Sequence, residues 1–185
     1  MSERWVEFVK KAPAYQIYIG YPMFTELIKE VLKYGNTFLE YGFGTGYTAM
    51  ALANKGYEVL GYDDEPKLID IAEDKAKTII VGSGKVKFTA DVTELKKMDV
   101  VYSCGLLEHY PDEFIIKILK EQVKLAKKAI VFVIPSEKYP HKEMGDERLM
   151  DIAEWEKLLK PVFGKKLIDL HYYCDRILLM GVIEV

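Results

Sequence analysis

Short apolar segments typical of strands alternate with segments of helical periodicity along most of this chain of 185 residues. The segments with strand character lie at 37–41, 57–62, 86–89, 98–104, 129–135, 166–174 and 177–185. Such alternation builds βαβ units, so the sequence predicts an α/β fold with a doubly wound, Rossmann-like, mostly parallel sheet of seven strands. Only Asp175-Arg176 separates the last two segments, which predicts a C-terminal hairpin that adds an antiparallel strand.

Composition and charge narrow the classes of protein that fit. The 26 basic and 29 acidic residues give a net charge of −3, so a basic footprint for nucleic acid is absent. No apolar run approaches the roughly 20 residues of a membrane span, and the first residues, MSERWVEFVKKAP, lack an apolar signal-peptide core. We therefore expect a cytoplasmic protein without a nucleic-acid or membrane partner. Abundant lysine and glutamate with few amide side chains resemble hyperthermophile composition, which suggests a thermophilic source.

A glycine-rich turn follows the first predicted strand in LEYGFGTGYTAMAL, residues 39–52. Gly42, Gly44 and Gly46 are spaced G-x-G-x-G, whereas dinucleotide-binding turns are spaced G-x-G-x-x-G, and Tyr47 occupies the position of their third glycine. A tyrosine there conflicts with close packing of helix on strand. The carboxylate of Glu40 would be unfavourable beside a pyrophosphate and favourable beside an ammonium group. The turn therefore favours a positively charged cofactor without phosphates, such as S-adenosylmethionine (SAM), over NAD.

A second acidic signal lies about 20 residues further on, where the second predicted strand ends at Asp63. An acid at this position can bind both hydroxyls of a ribose. SAM and NAD both contain that ribose, so Asp63 indicates a nucleotide without deciding between them. Asp64 fits a solvated turn or a helix cap.

At this point the chain resembles the class I SAM-dependent methyltransferases. EYGFGTGYTAMALANKGYEVLGYDDEPKLIDIAEDKA looks like their motifs I and II, and VKFTADVTEL looks like their third-strand motif. MDVVYSCGLLEHYPDE resembles the fourth-strand motif of the small-molecule branch, which includes enzymes of ubiquinone and menaquinone biosynthesis. The resemblance covers roughly Leu39 to Pro135.

The resemblance implies a set of cofactor contacts, with S-adenosylhomocysteine (SAH) as the product. Glu40 would face the methionine end of SAM, the three glycines would let the backbone approach it, and Asp63 would hold the ribose. The remaining implied contacts are Asp91 to the adenine amino group, the Val92 amide beside it, and a backbone carbonyl of Ser103 or Cys104 to the amino group of SAM. Asp91 could instead cap the short helix that follows.

Methyl transfer from a sulfonium is an in-line displacement with an activated leaving group, so positioning and desolvation can supply much of the catalysis. A general base is needed only when the acceptor loses a proton late. His109, just after the fourth strand, is the candidate catalytic base, although it could equally order its loop. Glu108 fits a structural or solvent-facing role. Cys104 lacks an activating cluster, which disfavours it as a nucleophile.

The fourth-strand motif also limits the acceptor. It lacks the Asn/Asp-Pro-Pro-aromatic tetrapeptide of amino-methylating DNA enzymes, which favours a small molecule over nucleic acid. It also lacks the carboxylate cluster of catechol-type enzymes, so we predict no metal. Two alternatives stay open: a SAM-binding module without catalysis, and a nicotinamide-dependent oxidoreductase. The acceptor, the methylated atom and the oligomeric state are undetermined.

The chain divides into three parts of a single expected domain. Residues 1–36 form a helical segment that could close as a lid, 37–135 form the cofactor-binding core, and 136–185 form an acceptor-side loop, helix and hairpin. The acceptor pocket is expected from three groups of residues: Trp5, Tyr15, Tyr18 and Tyr21; His141, Asp146 and Arg148; and His171, Tyr172 and Tyr173. Because strand side chains alternate, Tyr172 and Tyr173 cannot both face one pocket.

Overall fold

A seven-stranded sheet forms the centre of the protein in the computed structural model, which describes residues 2–140, 142 and 144–185. The strands are β1 (Thr37–Tyr41), β2 (Glu58–Tyr62), β3 (Lys85–Thr89), β4 (Met98–Cys104), β5 (Ala126–Pro135), β6 (Leu167–Tyr173) and β7 (Leu178–Glu184). Their order is β3-β2-β1-β4-β5-β7-β6; β1 to β5 pair in parallel, and β7 is antiparallel to both of its neighbours. The predicted fold, including the antiparallel C-terminal strand, is confirmed.

Seven helices connect and precede these strands within the described residues. They are α1 (Ser2–Lys11), α2 (Tyr15–Gly20), α3 (Pro22–Val31), α4 (Tyr47–Asn54), α5 (Pro66–Ile79), α6 (Asp112–Leu125) and α7 (Ile152–Phe163). Local sequence sets several of their starts: α3 and α5 begin on a proline, whose ring is pre-organised for a first turn. A capping box between Asp151 and Glu154 fixes the start of α7. Across the described part of the chain, no helix combines the length and the apolar character that crossing a bilayer requires.

The sheet is covered on both faces, as a doubly wound fold requires. One apolar cluster joins it to α1, α3, α4 and α5, and the other joins it to α6 and α7. Alternation along β1 shows the division, because Phe38 belongs to the first cluster and Leu39 to the second. Burial on both faces explains why the parallel strands read as continuous apolar runs in the sequence.

The order of the strands positions the site. In the sheet, β2 and β3 lie on one side of β1, whereas β4 and β5 lie on its other side. The carboxyl ends of β1 and β4 therefore flank the point where strand order reverses, and ligands of such sheets bind beyond these ends.

Candidate active site

A cavity of about 1000 Å³ opens at this edge of the sheet. Its lining combines the loops that follow β1, β2 and β4, the end of β5, and the N-terminal helices. The main contributing segments are 40–45, 62–65, 104–106, 108–110 and 133–135. The predicted cofactor residues Glu40, Gly42, Gly44, Asp63 and Cys104 lie together on this lining.

The three glycines of the turn share a positive φ but differ in the space that a side chain would meet. All three adopt positive φ, +75° at Gly42, +50° at Gly44 and +69° at Gly46. A Cβ on Gly46 would lie 2.9 Å from the Phe88 ring, so this glycine lets α4 pack closely on the sheet. A Cβ on Gly44 would meet nothing within 4 Å. Gly44 therefore presents bare backbone to open space, as close approach of a ligand requires.

The ring of Tyr47 points away from the strand and packs among aromatic residues of α2. Its centroid lies 5.5 Å from that of Tyr15 and 5.2 Å from that of Tyr18, and the Lys75 ammonium lies 4.5 Å from it. Because Gly46 makes the close approach to the sheet, Tyr47 does not obstruct helix packing. The steric argument against a dinucleotide is therefore weaker than the sequence suggested, and the charge at Glu40 carries the distinction.

Glu40 is buried on β1 and faces the start of α4. Its Oε2 accepts a hydrogen bond from the backbone N–H of Ala49 at 2.9 Å, and its neighbour on β4 is Tyr102. Burial raises the pKa of this carboxyl to about 8. The group is therefore mostly protonated at neutral pH, and a cation bound beside it would favour its ionised form.

Asp63 links the end of β2 to the glycine turn. Its Oδ2 accepts from the N–H of Gly44 at 3.1 Å, and its Oδ1 accepts from the N–H of Glu65 at 3.2 Å. Burial raises its pKa to about 6, so the carboxylate is ionised at neutral pH. Asp63 thus fixes the turn and presents negative charge to the same cavity.

The other predicted cofactor residues do not join this group. Asp91 and Val92 are exposed, outside the cavity lining. Asp91 Oδ1 accepts from the N–H and the hydroxyl of Thr93 at 2.8 and 2.7 Å, and so caps the short 3₁₀ turn that begins at Val92. Ser103 is buried and absent from the lining. Cys104 is on the lining, and burial raises the pKa of its thiol, which keeps it protonated. Contacts of these residues with adenine or with the amino group of SAM stay predictions.

A second cluster of polar side chains surrounds His109, next to the loop after β5 that was expected to contribute to the acceptor pocket. His109 Nδ1 lies 2.8 Å from Asp146 Oδ1, and the Trp5 ring packs edge-on against the imidazole with centroids 5.0 Å apart. Glu108 Oε1 lies 3.9 Å from His109 Nε2. Glu108 is buried, so its predicted solvent-facing alternative is wrong, and burial raises its pKa to about 8. Glu147 is also buried in the cavity lining.

Glu147 is a site residue that no sequence motif identified. It lies in the long charged loop after β5, and that composition predicted only a solvated loop. Its burial depends on that loop folding back over the end of β4, where the Arg148 N–H bonds the carbonyl oxygen of Glu108.

Residues expected in the acceptor pocket divide into two groups. Trp5, Tyr18 and Tyr21 line the cavity. The expected residues absent from its lining are Tyr15, Asp146, Arg148, His171, Tyr172 and Tyr173. Tyr172 and Tyr173 pack against opposite faces of the sheet, as alternation required. The Arg148 guanidinium is used elsewhere, on Asp112 and on the carbonyl of Tyr110. His141 lies outside the described residues.

The chain is similar in sequence to known methyltransferases. Residues 38–129, about half of the chain, match a family model described as a methyltransferase domain. The curated magnesium-protoporphyrin O-methyltransferase of Rhodobacter capsulatus is 35% identical over 99 residues, covering 52% of this chain and 43% of that protein. The chain therefore aligns with less than half of the length of this relative.

Solved structures share the fold over almost the whole chain. The magnesium protoporphyrin IX methyltransferase of Synechocystis PCC 6803 with bound SAM has a TM-score of 0.70 at 19% identity, covering 98% of this chain and 88% of that one. A protein of Pyrococcus horikoshii OT3 has a TM-score of 0.72 at 17% identity, covering 94% and 92%.

The region matched by the family model contains the main residues of the candidate site. The matched region contains Glu40, the glycine turn, Asp63 and His109, and the strand order places these residues at one edge of the sheet. Residues 38–129 belong to the methyltransferase-domain family, and the fold around them is that of the class I SAM-dependent methyltransferases.

Proposed function

We propose that this protein transfers the methyl group of SAM to a small-molecule acceptor and releases SAH. One observation carries the proposal. Asp63 accepts a hydrogen bond from the Gly44 N–H, and both residues line the same cavity as the buried Glu40. This arrangement offers separate carboxyl groups for a ribose and for an ammonium group, and bare backbone at Gly44.

The shape and lining of the cavity support a small acceptor. Its volume of about 1000 Å³ lies at the upper end for small-molecule sites, which leaves room for a cofactor and an acceptor together. The names of the relatives describe methylation of a magnesium protoporphyrin, also a small molecule. We propose that the N-terminal helices, which contribute Trp5, Tyr18 and Tyr21 to the lining, act as a lid that excludes water.

The roles of the residues follow from their positions. SAM, when bound, supplies a methyl group already activated on a sulfonium. Glu40 would bind the ammonium group, Asp63 would bind the ribose hydroxyls, and the turn at Gly44 would let the backbone approach. Enclosure by the N-terminal helices would align the reacting atoms and remove water from them. His109, held through Nδ1 by Asp146, is placed to take a proton from the acceptor if the reaction requires it.

Calorimetry with SAM, SAH and NADH, followed by a methyl-transfer assay across a panel of acceptors, tests the proposal. We expect SAM and SAH to bind at sub-millimolar concentrations and SAH to accumulate with at least one acceptor. Absence of binding by both would refute the proposal. Binding without transfer to any acceptor would favour a SAM-binding module without catalysis, and binding of NADH would favour an oxidoreductase.

The pKa of Glu40 makes a separate prediction about pH. Between pH 6 and 7.5 the amino group of SAM is largely protonated, whereas the free Glu40 carboxyl, with its pKa raised to about 8 by burial, is largely neutral. Binding of the ammonium should ionise Glu40 and release its proton, so SAM affinity should rise with pH by up to about tenfold per unit. Calorimetry in two buffers of different ionisation enthalpy counts the protons released.

Glu40→Gln provides the control for this prediction. Glutamine can still accept from the Ala49 N–H, so α4 should stay in place while the titration disappears. The variant should bind SAM more weakly, and its affinity should vary much less over this pH range. An unchanged pH dependence in the variant would show that Glu40 is not the linked group.

Several predictions from the sequence have no test in the structure or in the relatives. A cytoplasmic location, a thermophilic source and the absence of a nucleic-acid partner stay predictions of this kind.

A further inference from the structure

We propose that His109, Asp146 and Glu147 bind a divalent transition-metal ion, such as zinc or manganese, on the acceptor side of the cavity. The binding site itself does not depend on the methyltransferase function. Its use in catalysis, described below, rests on the proposed function.

The three residues come from two loops at the same edge of the sheet. His109 follows β4, and Asp146 and Glu147 belong to the loop after β5, which folds back towards it. Each residue offers one ligand atom, and these atoms all lie within 4.8 Å of one another. One imidazole nitrogen with carboxylate oxygens is a donor set that suits zinc and related divalent ions.

Unpartnered carboxylate oxygens point independently to a cation. Glu147 is 5% exposed and Glu108 is 3% exposed, and the Oε2 atom of each is buried without a hydrogen-bond partner among the described residues. Both side chains line the cavity beside His109. Buried polar atoms are almost always satisfied in native proteins, so two such oxygens at one place indicate a missing partner.

Among the described residues, lysine and arginine side chains do not supply that partner. In the described part of the chain, no lysine or arginine forms an ion pair with Glu108 or Glu147. The nearest arginine in sequence, Arg148, directs its guanidinium to Asp112 and to the Tyr110 carbonyl oxygen. Clustered buried carboxylates without a cation are costly, and a divalent ion would offset that cost.

The fourth-strand motif lacks a carboxylate cluster, and on that ground the sequence predicted no metal. The structure adds carboxylates from the loop after β5, which the motif does not contain. With an ion bound, His109 would serve as a ligand instead of a general base. The ion would lower the pKa of an acceptor hydroxyl or amine beside it, so that water could take the proton without a protein base.

Calorimetric titration of the chelator-treated full-length protein with Zn²⁺, Mn²⁺ and Mg²⁺, in the absence of SAM, tests the site. We expect about one Zn²⁺ or Mn²⁺ per chain and weaker binding of Mg²⁺. Glu147→Gln and His109→Asn should each weaken binding at least tenfold. Asp146→Asn gives a second measurement if these buried changes impair folding, because the Asp146 side chain is 42% exposed.

His171→Asn is the matched control. His171 Nδ1 lies 2.9 Å from Asp169 Oδ2, a pair similar in geometry to His109 and Asp146 but outside the cavity. This variant should bind the metal as the unmodified protein does. Failure of all three ions to bind, or an equal loss in His171→Asn, would overturn the proposal and return His109 to its predicted role as a base.

The same samples separate this proposal from the proposed function. SAM binding without metal binding would refute the metal site alone. Metal binding without SAM binding would refute the methyltransferase proposal and leave the metal site standing.

Discussion

Replacement of Asp63 by alanine is expected to weaken SAM binding by roughly 1–3 kcal/mol, a factor of about 5 to 150 in Kd. The carboxylate is ionised at neutral pH, since its pKa is about 6, and it would accept the ribose hydroxyls. It also holds the N–H of Gly44, so its loss should loosen the turn that approaches the cofactor. Calorimetry with SAM and SAH measures the effect.

Two further variants separate charge from structure. Asp63→Asn keeps an acceptor oxygen for one of the two backbone N–H groups, so it should bind SAM better than Asp63→Ala and melt closer to the unmodified protein. Asp74→Ala removes an exposed aspartate of α5 that pairs with Lys77, and it should leave Kd unchanged. Equal affinity in Asp63→Ala and Asp74→Ala would remove Asp63 from the cofactor site.

Replacement of Trp155 by alanine is expected to lower the free energy of unfolding by about 3–5 kcal/mol. Trp155 is 0% exposed on α7 and packs against Phe132 of β5, with ring centroids 6.5 Å apart. Its indole N–H has no partner in the described structure, so the loss would be one of apolar packing and of the cavity left behind. Urea unfolding followed by far-ultraviolet circular dichroism gives the value without relying on tryptophan fluorescence.

Val162→Ala is the control on the same helix. Val162 is 39% exposed, so shortening it should change stability by only about 0.5 kcal/mol or less. If the two variants lost similar amounts of stability, α7 would not be anchored to the sheet through Trp155. A loss in Trp155→Ala below about 1 kcal/mol would contradict the packing described.

Local sequence was sufficient for most of the secondary structure. The first strand, predicted at 37–41, has the observed bounds of β1, and the fourth, predicted at 98–104, has those of β4. These segments are mostly apolar and are bounded by polar or glycine residues, so local preference and burial agree. The helical segment predicted over residues 1–36 is divided into three helices, α1 to α3, because side-chain periodicity does not fix where each helix begins and ends.

The candidate site was predictable only in part. Strand ends and glycine spacing place Glu40 and Asp63 in sequence, and the parallel sheet brings them to one edge. The spacing of the turn predicted that Tyr47 would conflict with close packing of α4 on the sheet. This prediction was wrong, because the Tyr47 ring turns towards α2. The direction of that ring depends on an N-terminal segment that follows no motif. Asp91 was assigned a role from family resemblance, and its observed contacts are those of the capping alternative.

The sequence by itself determined the α/β class, the strand direction and the acidic residues beside the glycine turn, because these follow from periodicity and from residues close together in the chain. Only the tertiary structure decided which carboxyl groups are buried and which residues line the cavity. Glu147 lies in a charged loop that reads as solvated, yet it is buried beside His109, which is 38 positions earlier. Burial and the resulting pKa shifts depend on contacts between segments far apart in sequence, and local patterns do not specify such contacts.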